Sequence, residues 1–313
     1  MNFRTEINIS KAKNVIDYKS KLLLLGSCFS DNIGERFLYY KFNALVNPFG
    51  VIFNPISIEK LVYRSLHDIF FTKKDFVFYN DKWQSLDLHS TFSAISLDEA
   101  ISSANNALEQ TKEYLTTASH CMITLGTAWV YRLIKTDNIV ANCHKIPQTE
   151  FENELLSVTA IQESLHRILA EIKKVNPNVS IIFTISPVRH LKDGFVANNL
   201  SKSHLITATH AVLNERKEYY FPSYEIMLDD LRDYRFYKED FLHPNDLAVS
   251  YIWNKFKASW LAENTNEIMK KVTSIQKRLA HKPFNPNTEK HQKFLEKLQL
   301  DIDNLEKQFH LSF

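Results

Sequence analysis

Three short runs of almost unbroken apolar character constrain this chain most: Leu22 to Leu25, Cys121 to Leu125 and Val179 to Ile185. Each ends in a turn signal: Gly26-Ser27, Gly126 and Ser186-Pro187 respectively. Runs that do not alternate polar with apolar fit strands buried on both faces, as in a parallel sheet. Between them the apolar residues return at helical spacing. Phe29, Ile33, Phe37 and Tyr40 mark one helix, and residues 56 to 66 a second. Ser96 and Glu99 form a capping box ahead of a third, which runs to about Leu115. Val158 to Val175 is a fourth, stopped by Asn176-Pro177, and residues 199 to 217 are a fifth. Ala44 to Val46 reads as a further strand. Tyr219 to Ile226 reads as the last, with Pro222 placing it at an edge or a bend. A final helix runs from Pro244 to about Leu261. This alternation predicts an α/β fold, a three-layer α/β/α parallel sheet of roughly five strands.

Two segments break the rhythm. Asp75 to Leu88 reads as a hairpin around Asn80-Asp81, and Val130 to Ala141 as another around Asp137-Asn138. Beyond residue 261 the texture changes. Ile268, Val272, Ile275 and Leu279 form one amphipathic stripe, and Phe294, Leu298, Leu305 and Phe309 a second, separated by Pro283 to Pro286. The expected division is a core domain over 1–260 and a helical hairpin over 261–313. The hairpin is read as docked on the core, with a role in homo-oligomer formation as the alternative.

Charge narrows the function. Lys and Arg total 38 against 36 acids, a balance that argues against a nucleic-acid partner. No apolar run approaches the roughly 18 residues of a membrane span. The first 21 residues lack a signal-peptide core, so a cytoplasmic protein is expected. Cys28, Cys121 and Cys143 have no CxxC spacing, hence no disulfide framework and no metal pattern; no cofactor is called for. Glycine is scarce, at five where an average chain would carry about 22. Those retained therefore mark places where the backbone needs them, and Gly26, Gly50 and Gly126 all fall in or beside loops that follow apolar runs.

Ligands of parallel α/β sheets bind outside the carboxyl ends of the strands. Ser27 lies at such an end, where a strand hands over to a helix. A serine hydroxyl needs a general base, and an imidazole steadied by a carboxylate suits the task. Asp240-Phe241-Leu242-His243 supplies both within one turn. The expected catalytic set is Ser27, His243 and Asp240. Backbone N–H groups of Ser27 and Gly50, with the Asn142 side chain, are the expected oxyanion donors.

Six separated motifs then resemble the GSCFA family. They are Leu25-Gly26-Ser27-Cys28-Phe29-Ser30 with Asp31 to Gly34, Asn47 to Pro55, Thr124 to Arg132, Asn142 to Pro147, Ser186 to His190, and Tyr220 to Glu225 through Asp240 to Pro244. The resemblance covers residues 20 to 260. That family is similar to SGNH (GDSL-like) esterases and lipases. The likeness implies a flavodoxin-like sheet, no metal, and a Ser–His pair with an aspartate just upstream of the histidine. The wider pattern carries Gly-x-Asn-Asp after the third core strand, where this chain has Gly126-Thr127-Ala128-Trp129. Either Asn142 supplies the missing amide from a nearby loop, or the oxyanion hole is built differently.

The function implied is that of a serine esterase, O-acyltransferase or deacylase on an acyl ester, with a small acyl group on a carbohydrate as the candidate substrate. A non-catalytic binding protein that keeps the pocket is the alternative. Trp129, His144, Arg189 and His190 are candidate substrate-binding residues, against a reading as ordinary loop and rim groups. Two further alternatives stay open at this level: Cys28 as a thiolate nucleophile, and a metal held by Cys143, His144 and His190.

Overall fold

The computed structural model describes residues 5–309 and 311–313. In chain order the main elements begin with β1 (Lys21–Gly26), α1 (Cys28–Tyr39), β2 (Asn43–Val46) and α2 (Pro55–Leu66). A hairpin of β3 (Val77–Tyr79) and β4 (Lys82–Gln84) precedes α3 (Leu97–Thr117) and β5 (His120–Leu125). Then come β6 (Trp129–Leu133), β7 (Asn138–Val140), β8 (Phe151–Leu155), α4 (Val158–Val175), β9 (Ser180–Ile185) and α5 (Phe195–Glu215). The chain continues through β10 (Tyr219–Tyr220), a short α6 (Ser223–Glu225), α7 (Asp246–Trp260), α8 (Thr265–Leu279) and α9 (Glu289–Phe309).

Five strands form one parallel sheet in the order β10-β9-β5-β1-β2. Counting only these strands, the order is 2-1-3-4-5, the flavodoxin-like arrangement, and its switch point lies between β1 and β5. The side chains show why the runs do not alternate in polarity. Leu23, Leu25, Cys121, Ile123, Ile181 and Phe183 face a core formed with α2, α3, α4 and α5. Leu22, Leu24, Met122 and Ile182 face a second core formed with α1 and α7. In that second core Phe37 meets the rings of Phe42, Trp253 and Phe256 edge-on. Truncating Phe37 to alanine would cost about 3–5 kcal/mol.

Three expectations need correction. The last strand is only Tyr219–Tyr220, because Pro222 has no N–H to continue the ladder; the chain turns into α6 and a π-helical stretch at Ile226–Asp230. The second hairpin gains a third strand, β8, paired antiparallel with β6. The last core helix begins at Asp246, with Asn245 as its cap accepting from the Ala248 N–H; Pro244 stands just outside. The C-terminal stripes pack on each other through Ile268, Val272, Ile275, Leu298, Ile302 and Leu305, and against Tyr18 and Tyr40 of the core. Arg278 bonds Asp301 across the two helices at 2.7 Å. The two stripes thus bury each other in part, while Leu279, Leu295 and Leu300 stay exposed. Among the described residues no helix is long and apolar enough to cross a membrane.

Gly26 sets how closely β1 and β5 finish together. Its φ is +134°, and a Cβ there would stand 2.1 Å from the Thr124 carbonyl oxygen. Both strain and collision forbid a side chain. Gly194, at φ +94°, has nothing within 4 Å of the same position. Gly26→Ala should therefore lose more than about 4 kcal/mol or fail to fold, whereas Gly194→Ala should lose only about 1 to 3 kcal/mol, from backbone strain alone. Urea unfolding of the two variants tests the contrast; equal losses would refute it.

Candidate active site

Ser27 caps α1. Its backbone is extended, and its Oγ accepts from the Phe29 N–H at 3.2 Å. Such a cap contributes about 1 kcal/mol and fixes the side chain at the helix's positive end. Asn47, itself at φ +41°, braces this turn from the β2 side. Its Oδ1 accepts from the Gly26 N–H at 2.8 Å, and its amide donates to Asp31 Oδ1 at 2.6 Å. Ser30 donates to Thr124 Oγ1 at 2.7 Å, tying α1 to β5. Ser27 is 1% exposed.

Asp240 and His243 meet as the sequence predicts. His243 Nδ1 lies 2.7 Å from Asp240 Oδ2. The other carboxylate oxygen accepts from the backbone N–H groups of Leu242 and His243 at 2.8 and 3.0 Å. Those two backbone donors and the imidazole together hold the Asp240 carboxyl down at about 2. In the tautomer that donates Nδ1–H to Asp240, the lone pair of His243 lies on Nε2. The turn is tight: Phe241 sits at φ +56°, a strain of about 1–3 kcal/mol for a non-glycine residue. Its flanks are pinned by Lys238 N–H to His243 O at 2.7 Å and Asn245 N–H to Phe236 O at 2.9 Å.

The loop after β9 joins this turn. The Arg189 N–H donates to Leu242 O at 3.2 Å, and the Arg189 guanidinium stacks 4.3 Å from the Tyr237 ring. Arg189 also lines a cavity of about 160 Å³ with Met227, Leu231, Tyr234 and Tyr237. His190 packs its ring 5.2 Å from Phe53. Its Nε2 is buried and, among the described residues, has no hydrogen-bond partner. An orphaned buried polar atom costs about 1–3 kcal/mol. Burial foremost, then the charges of Lys202 and His243, pull its pKa down to about 3, so the ring is neutral.

Lys202 on α5 is fully buried. Its ammonium donates to Gly126 O at 2.6 Å and Ser186 O at 2.7 Å, clamping the ends of β5 and β9. Burial draws its pKa down to about 7, while the two carbonyls favour the charged form. Lys202 and Asn47 are the residues that sequence reasoning missed. Lys202 is in phase with Leu205 and Thr209 on the buried stripe of α5, and that phase was the available signal.

Two of the expected oxyanion donors are spent elsewhere. The Ser27 N–H extends the sheet ladder to Thr124 O at 3.1 Å, and the Gly50 N–H closes its own turn onto Asn47 O at 2.7 Å. Asn142 uses Oδ1 to accept from the His144 N–H at 2.7 Å. His144 Nε2 is taken up by Ser85 O at 2.7 Å. The Trp129 indole N–H donates to Ala197 O at 3.1 Å, so its polar edge is committed to α5. The Cys28 thiol is pushed up, chiefly by burial and then by Asp31, against the thiolate reading. Among the described residues no three potential metal ligands converge, so Cys143, His144 and His190 do not form a centre.

Comparison with known proteins places these features. The GSCFA family profile matches residues 21–256, and that of the GSCFA domain protein C-terminal domain matches residues 272–313. No curated protein matches the chain. One solved structure, a family two carbohydrate esterase from Clostridium thermocellum in complex with cellohexaose, aligns over 84% of this chain at 12% identity. The alignment spans 66% of that chain, just under two thirds of its length, with a TM-score of 0.33, an overlap too loose to carry a functional argument.

The depressed pKa of His190 has a consequence for stability. Unfolded, the ring takes a proton near pH 6.5; folded, it resists until about 3. The unfolded state therefore binds more protons between these values, so His190 supplies stability above pH 6.5 that is lost as the pH falls toward 3. The slope should approach about 1.4 kcal/mol per pH unit from this group alone. Urea midpoints of wild type and His190→Gln between pH 4 and 7 measure it; identical slopes would contradict the assignment.

Proposed function

The chain belongs to the GSCFA family, and we propose that it is an SGNH-type serine esterase or O-acyltransferase. The observation that carries this reading is the 2.7 Å bond between His243 and Asp240, with Ser27 at the end of β1 beside the switch point of the sheet. Ser27 Oγ attacks the ester carbonyl carbon while its proton passes to His243 Nε2. The tetrahedral adduct collapses, and His243 returns that proton to the departing alcohol, leaving the acyl group on Ser27. Water, or a hydroxyl of an acceptor, then attacks with His243 again as base, giving a free acid or a new ester. Asp240 keeps the proton on Nδ1 and offsets the charge of the imidazolium. The positive end of α1 favours the anionic adduct. A small acyl group on a carbohydrate is the substrate we favour, by fold-level analogy with SGNH hydrolases.

One observation favours the rival reading of a binding protein without turnover: Ser27 is 1% exposed, and the two backbone N–H groups expected to hold an oxyanion are donated elsewhere. Turnover of a chromogenic acetate ester separates the two. The wild-type chain should hydrolyse it, and Ser27→Ala should lower kcat by about 10³-fold or more. An organophosphonate should add to Ser27, as mapped by peptide mass spectrometry. A wild-type chain that neither turns over the ester nor takes the label would favour the binding protein.

A further inference from the structure

The proposed acyl-enzyme chemistry requires a donor for the oxyanion, and the structure removes the two backbone N–H groups that the sequence suggested. Ser27 N–H is held by Thr124 O and Gly50 N–H by Asn47 O. The stretch after β5 also lacks the asparagine of the wider SGNH pattern, having Gly126-Thr127-Ala128 instead. A polar atom without a partner stands at that same strand end. His190 Nε2 would lie 3.2 Å from a Cβ built on Gly126, and Gly126 closes β5 beside the end of β1. Resting on the reading above, we propose that His190 Nε2–H is the oxyanion donor of this site, taking the place of the absent asparagine.

The surroundings fit a fixed donor. The His190 backbone N–H is anchored on Asn198 Oδ1 at 2.9 Å, and Phe53 packs against the ring. Gly126 leaves room where a side chain would press on Nε2. The Lys202 ammonium holds the two strand ends on either side, through Gly126 O and Ser186 O. Lys202 and His243 both oppose a second proton on the ring, so His190 donates one N–H as a neutral imidazole and returns no proton in the cycle. A neutral histidine donor of this sort polarises a carbonyl without competing for the base. The two histidines thereby divide the work: His243 moves the proton, and His190 steadies the charge. His190 Nε2, buried and without a hydrogen-bond partner among the described residues, is then a preorganised group for the charge that the carbonyl oxygen gains only in the adduct.

The test uses the full chain and the chromogenic acetate ester. His190→Leu should lower kcat by roughly 10²- to 10³-fold with KM changed little, since a donor lost only in the transition state acts on kcat. His190→Gln, whose amide N–H reaches a similar point, should recover at least about tenfold of that loss. Leu and Gln variants that fall alike would overturn the donor role, as would a Leu variant with wild-type kcat. If Ser27→Ala also keeps wild-type turnover, the acyl-enzyme reading fails; if it abolishes turnover while His190→Leu does not, only the donor assignment fails. Should the Leu variant not fold, imidazole ¹⁵N NMR of the wild type decides. The His190 Nε2–H signal should move downfield when Ser27 carries the phosphonyl group; an unmoved signal would overturn the proposal.

Discussion

The closeness of Gly26 to the Thr124 carbonyl governs the architecture of this molecule. Because no atom stands on that Cα, β1 and β5 finish side by side, and the Ser27 N–H can continue the ladder onto Thr124. The chain then enters α1 with Ser27 as its cap. The next loop is drawn into the same gap: the Ile52 N–H bonds Gly26 O, and the Gly126 N–H bonds Phe53 O. Two strand ends and one loop are thus locked at the switch point, where an open α/β sheet offers its crevice. The bonds that make the turn rigid also commit the Ser27 N–H to Thr124 O.

Electrostatics then sort the titratable groups by environment. His243 lies on an exposed turn against a carboxylate that accepts from three donors. His190 lies in a pocket with Phe53 and the Lys202 charge, which permits only the neutral ring. Lys202 is the unusual member, an ammonium that, among the described residues, is held by two carbonyls and no carboxylate.

Much of the fold could be read from the sequence because strands buried on both faces leave an unmistakable signature. Leu22 to Leu25 are apolar throughout because alternate residues serve two different cores. β8 escaped notice because Phe151 to Leu155 is a short, half-exposed strand whose partner lies across a long loop. The length of β10 was misjudged because Pro222 ends pairing sooner than the apolar pattern does. At the site, Asp240 and His243 were legible because their meeting needs only one local turn. Lys202 was not, since residue type argues for solvent and only helical phase argues for burial. The partners of the Gly50 and Ser27 N–H groups were illegible for a different reason. They depend on which carbonyl the backbone happens to face, and no side chain records that.

The imidazole's turn is tied to the loop after β9 by the backbone contact of Arg189 N–H to Leu242 O and by the stack of Arg189 on Tyr237. Both partners of that contact arise late in the chain, Arg189 after four of the five strands of the central sheet and Leu242 after all five. A ribosome releases the hydroxyl of Ser27 long before it releases the base. On the acyl-enzyme reading, the growing polypeptide therefore carries an inert serine throughout translation of the sheet. The set is complete only once that late turn has been synthesised and has folded.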